Sequence, residues 1–135
     1  MQRYFRDFAH AGAELSEASR NRVKQINEEL SSLQTQFSKK LLADTNDLAV
    51  AVDSEQELDG LSPNQIAACK AAAESRGLND KWLITIMNFT GHPLLDSLKN
   101  RALREKVMAN SLLKGDRDNE NDTKEVLLNI VTLRA

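Results

Sequence analysis

A single cysteine, Cys69, leaves no internal partner for a disulfide. It lies in the alanine-rich run IAACKAAAES with no histidine beside it to serve as a base, so it reads as a small buried helix residue and not as a reactive thiol. Histidine is nearly as scarce. His10 and His92 are too far apart to share a helical turn, so a zinc helix with histidines at i and i+4 cannot form, and no Ser-His-Asp arrangement can be argued from two isolated imidazoles. The five glycines stand singly at helix ends and turns, which excludes a glycine-rich phosphate loop. Apolar runs fall short of the roughly 20 residues that cross a bilayer, and the opening MQRYFRDFAH lacks the apolar core of a signal peptide. An excess of one charge is missing too. With a formal net charge of −2 and acids and bases interspersed, there is no electrostatic reason to expect nucleic acid or membrane as a partner.

What the chain does have is helical periodicity. At 135 residues it is long enough for one domain that buries about 65–70% of its unfolded surface. From about Ser16 to Ala43, the residues Val23, Ile26, Leu30, Leu33, Phe37 and Leu41 recur at three- and four-residue steps among charged neighbours. That is one narrow apolar seam on a long helix. It spans under three heptads, which favours packing within the chain over a coiled-coil dimer. Before it, Tyr4, Phe5 and Phe8 sit on a short helix ending near Gly12 and are expected to dock on a neighbouring helix.

A polar break at Asp44-Thr45-Asn46-Asp47 precedes Leu48 to Val52, short and β-branched, which reads as a strand. Ser54 and Glu57 are spaced to cap one helical turn closed by Gly60. Ser62, Pro63 and Gln65 then open a helix that runs to Arg76 and stops at Gly77. Lys81 to Met87 is apolar on both faces, and pairing it with Leu48 to Val52 gives a small two-stranded antiparallel ribbon that helices must cover. A short helix follows Pro93. Another opens near Asn100, carries Leu103, Val107 and Met108, and ends at Gly115. Asp122 and Glu125 have capping-box spacing for a last helix bearing Val126, Leu127, Ile130 and Leu133. Its apolar face still runs at Ala135, so the chain reads as a piece of something longer. Those four side chains would then be left uncovered and able to form a fragment dimer. The expected class is mainly α, a helical fragment with a long N-terminal helix and one small ribbon.

Candidate chemistry is thin. In DRDNENDTKE, Asp116, Asp118 and Glu120 alternate as in a calcium loop, but position six is Asn121 and position twelve is Leu127, where an EF-hand needs glycine and a bidentate carboxylate. The stretch reads as a solvated loop with Asp122 as helix cap. His92, before Pro93, reads as a solvated loop histidine. Trp82, Arg101, Arg104 and Glu105 are singled out as structural: Trp82 for the area it can bury, and Arg101 and Glu105 for the four-residue spacing of a helical ion pair. No catalytic or metal-binding residue is assigned within the chain.

Six pieces in the same order nevertheless resemble the N-terminal helical region of the bacterial peptidyl-dipeptidases, in the thimet oligopeptidase and neurolysin group. They are FAHAGAELS, INEELSSLQTQFSKKLL, DSEQELDGLS, GLNDKWLITIMN, NRALREKVMAN and NDTKEVLLNIVTLRA. The resemblance covers nearly the whole chain. It departs at Lys40, where the group commonly has asparagine, and at Ser111-Leu112-Leu113-Lys114, where it has an aromatic-Thr-Arg stretch. The resemblance implies a much longer, almost wholly helical zinc enzyme that releases C-terminal dipeptides from short peptides, with its metal and its HExxH helix far beyond Ala135. This segment would wall the substrate channel, with the remainder of its own chain as partner and no cofactor of its own. A cytoplasmic location goes with that, or a periplasmic one if a leader precedes Met1. The competing reading is a stand-alone interaction module that uses the Val23 to Leu41 seam to bind a partner helix.

Overall fold

The apolar seam folds as one long helix, and the break expected near Asp44 does not occur. The computed structural model describes residues 2–10, 12, 15–87 and 89–135. Their contacts form two compact units, Met1–Phe37 with Glu125–Ala135, and Ser38–Lys124.

In the first unit, helix α1 spans Gln2–His10 and Gly12 follows with φ +99°. Tyr4 and Phe8, one turn apart on one stripe, are 72% and 67% exposed. The expected docking of these aromatics is therefore corrected: the stripe faces water, and the Phe5 side chain lies outside the described residues. Helix α2 runs Glu17–Asp47. Along its first part Ile26, Leu30, Leu33 and Phe37 are half-buried and Val23 is exposed, so the seam is only partly covered. The last helix, α6, is Lys124–Arg134. Val126 and Ile130 are buried, Leu133 is half-buried, and Leu127, Leu128 and Val131 face solvent. Two of the four side chains assigned to a dimer face are thus already covered.

The second unit holds the apolar core. The strand β1 is Val50–Val52 and β2 is Trp82–Ile84, antiparallel, with Val50 opposite Ile84 and Val52 opposite Trp82. Both are shorter than the expected runs. Leu48 is still hydrogen-bonded to the Asp44 carbonyl at 3.0 Å as part of the α2 terminal turn, and beyond Ile86 the backbone turns, with the Thr90 amide bonding the Met87 carbonyl at 3.0 Å. A 3-10 turn at Glu55–Leu58, opened by the Ser54 side chain, leads into α3, Pro63–Glu74. The full capping box forms there: the Ser62 side chain accepts from the Gln65 amide and the Gln65 side chain from the Ser62 amide. The helix ends two residues before Arg76, because the chain tightens into three-residue bonds from Arg76 and Gly77. The Leu78 amide then reaches back to the Ala73 carbonyl around Gly77, at φ +71°.

Helices α4, His92–Leu95, and α5, Arg101–Leu112, complete the unit; Asn100 caps α5 by accepting from the Leu103 amide. Val50, Leu58, Ile84, Ile86, Leu98 and Val107 are at most 2% exposed, so the ribbon is covered as its apolar faces require. Among the described residues no helix is long and apolar enough to cross a membrane.

Candidate functional site

Polar chemistry in this chain gathers around the segment between α5 and α6. The seam stepping Phe37, Leu41, Asp44, Leu48 places Asp44 on the inward stripe of α2, and its carboxylate is fully buried. One oxygen accepts from the Gly115 amide at 2.7 Å; the other accepts from the Arg117 guanidinium at 2.9 Å. Nearby, the Thr123 hydroxyl donates to the Gly115 carbonyl at 3.0 Å, and the Thr123 amide bonds the same carbonyl. Lys40, at the position where the resemblance departs, donates to the Glu120 carbonyl. The loop is thus held to α2 from both sides.

Outside that anchor, Asp116, Asp118 and Asp122 bring carboxylate oxygens within 4.8 Å of one another. The Lys124 ammonium fills the cluster, donating to Asp116, to Asp118 at 2.8 Å, and lying 3.2 Å from Asp122. These pairs raise the Lys124 pKa. Asp122 is held below the ordinary carboxylate range by hydrogen bonds from the Lys124 and Asp118 amides and the Lys124 side chain. Asp122 does cap the start of α6, but through the Lys124 amide at 2.9 Å, and among the described residues no reciprocal box with Glu125 forms. Asp118 takes a positive φ of 49°, which lets its amide turn onto the Asp122 carboxylate at 2.9 Å. A lysine stands where the calcium reading would put a cation.

His92 is exposed, but it is not simply solvated: its Nε2 lies 2.6 Å from the Ser111 hydroxyl. No carboxylate orients the ring among the described residues, so a nucleophilic triad is not assembled. Trp82 is half-buried on the core, with the Lys70 ammonium 4.7 Å from its ring centre. Arg104 is half-buried, while Arg101 and Glu105 are exposed and form no ion pair with each other. Cys69 is buried, and burial pushes its thiol pKa up.

Sequence reasoning missed Asp44 and its partner Arg117. The signal was present, since Asp44 continues the three- and four-residue steps of the seam. Arg76 was missed as well; its guanidinium grips the Asn46 carbonyl at 3.0 Å and the Asn46 side-chain oxygen at 2.8 Å, closing the end of α2. Asn110 likewise donates to the Leu48 carbonyl at 2.7 Å. These last contacts join residues distant in sequence and leave no local pattern.

No protein-family model matches the chain. It is 34% identical over 128 residues to a dipeptidyl carboxypeptidase of Escherichia coli, with 95% of the chain aligned, and 35% identical over 127 residues to the dipeptidyl carboxypeptidase of Salmonella typhimurium. An oligopeptidase A of Haemophilus influenzae is 32% identical over 135 residues. These relatives are peptidases of the thimet oligopeptidase family, and the chain is homologous to a fragment of them. It spans 19% of the length of the two dipeptidyl carboxypeptidases. The described residues of this segment do not suit a zinc ion. The acidic cluster offers carboxylates only and is filled by Lys124, the Cys69 thiol is disfavoured as a thiolate, and His92 has no second ligand beside it among the described residues. No catalytic step can be derived through a metal here.

Proposed function

We propose that this chain is a non-catalytic segment of a zinc metallopeptidase, part of the N-terminal wall of a channel that admits short peptides and from which C-terminal dipeptides are released. The observation that carries the reading is its 34% identity over 95% of its length to a dipeptidyl carboxypeptidase, in a chain with no HExxH. The fold agrees with a wall. An α2 end fixed by a buried carboxylate gives a firm scaffold, and the described residues assemble neither a nucleophilic triad nor a zinc site. Zinc, held by residues elsewhere in the polypeptide, would polarise the scissile carbonyl and activate water.

The experiment is to extend the reading frame past Ala135, express the whole polypeptide, and measure dipeptide release from an N-blocked tetrapeptide with and without a zinc chelator. Chelator-sensitive release of the C-terminal dipeptide is expected, and none from residues 1–135 alone. A reading frame that closes at Ala135 favours the interaction module instead, because the half-covered seam of α2 is the surface such a module would use.

A further inference from the structure

Within the second unit, a groove of about 380 Å³ runs between the last turns of α2 and the segment after β2. Leu41, Leu42, Ile86, Met87 and Phe89 line it together with Lys114. Leu42 is 64% exposed, Met87 42% and Phe89 72%. Apolar side chains left open together along a groove offer a surface on which a partner segment can bury its own apolar side chains. The Lys114 ammonium is half-buried and makes no hydrogen bond or ion pair among the described residues, whereas the neighbouring cations Lys40, Arg117 and Lys124 all have acceptors.

From this we infer that the groove is an internal interface of the full-length peptidase: it receives an apolar segment of the same polypeptide from outside residues 1–135, and that segment places a carboxylate on Lys114. The inference rests on the reading of the chain as part of a peptidase. Two observations select this occupant. The related dipeptidyl carboxypeptidases hold this stretch as 19% of their length, so most of each polypeptide lies outside it and can reach such a face. The single unpaired ammonium beside an apolar lining calls for an occupant with greasy side chains and one acid, because a half-desolvated cation gains most from a charge-assisted bond. A second copy of the groove would bring lysine against lysine.

The test uses the full-length polypeptide carrying Leu42→Cys or Phe89→Cys, each alkylated with a maleimide and followed by peptide mass. Labelling should be at least ~100-fold slower than in the same variant unfolded in guanidinium, as for a site reached only by opening. A carbodiimide should also join Lys114 to an acidic residue outside 1–135, and Lys114→Arg should abolish that link while keeping the charge. Labelling at the unfolded rate overturns the inference, as does a Lys114 link to an acid within 1–135 of another copy, or a polypeptide that ends at Ala135. Peptide hydrolysis on the same preparations separates the two readings. An active enzyme with a freely labelled groove removes only the interface; a protected, cross-linked groove in an inactive polypeptide keeps the interface and removes the peptidase.

Discussion

Asp44 shows how much one side chain can fix. Its carboxylate is fully buried, so both oxygens need donors, and it finds them in the Gly115 amide and the Arg117 guanidinium. Asp44→Ala removes the charge but strands both donors and should cost about 2–4 kcal/mol in urea unfolding. Arg117→Met leaves the carboxylate buried with only the amide and should cost a similar amount. In the double variant the two losses should fall short of their sum, because each single change breaks the same contact. Gly60 is the second residue with a sharp expectation. It has φ +99°, and a Cβ there would lie 2.0 Å from the Ser97 carbonyl oxygen, beside the bond from the Lys99 amide to the Asp59 carbonyl. Gly60→Ala should therefore destabilise by about 2 kcal/mol or more, measured as a shift in denaturation midpoint without a change in slope.

At the scale of elements, the loop between α5 and α6 is held by ions, and its stability should follow pH. Asp122 is held below its ordinary pKa by the Lys124 and Asp118 amides and the Lys124 side chain, and Asp53, on the turn after β1, by the Lys81 ammonium at 2.7 Å. A carboxylate with a depressed folded pKa contributes stability that is complete above its unfolded value, about 3.9, and is lost as pH falls through the folded one. Hydrogen exchange of the 116–124 amides should accordingly rise on acidification below about pH 4, and added salt at neutral pH should raise it modestly, since Asp116, Asp118 and Lys124 are exposed. Lys124→Met should leave three carboxylates facing one another and open the loop already at neutral pH.

The same elements show what could be read in the sequence. The Ser62 cap, the Gly77 stop, the ribbon and the helices around Leu103 and Val126 follow from local spacing and end within a few residues of their expected limits. The end of α2 did not, because Asp44 to Asp47 looks like a polar break when taken alone. It stays helical since Arg76, Asn110 and the Gly115 amide, all distant in sequence, satisfy its polar groups. The partnership of His92 with Ser111 was invisible for the same reason.

For the whole molecule, the two units are differently packed. In the second, Val50, Ile84 and Val107 are each 1% exposed, whereas in the first the seam residues Ile26 to Phe37 are half-buried at best. Local opening tracks such packing, so amides of Val50–Val52 and Trp82–Ile84 should exchange at least ~10-fold more slowly than those of residues 20–35 in α2. Equal protection of the two strands and of residues 20–35 would contradict the picture.

The spans of chain closed by each contact carry a kinetic consequence. Val52 and Trp82 pair across 30 residues, most of them already organised by α3 and its cap, while the bonds from Asp44 to Arg117 and from Lys40 to Glu120 close 73 and 80. Each doubling of a flexible loop adds only about 0.6 kcal/mol of closure entropy, but that cost falls before the contact is made. Residues 50 to 84 therefore form the natural nucleus, and the buried carboxylate locks afterwards. Val50→Ala should slow refolding, whereas Asp44→Asn should leave the refolding rate nearly unchanged and speed unfolding instead.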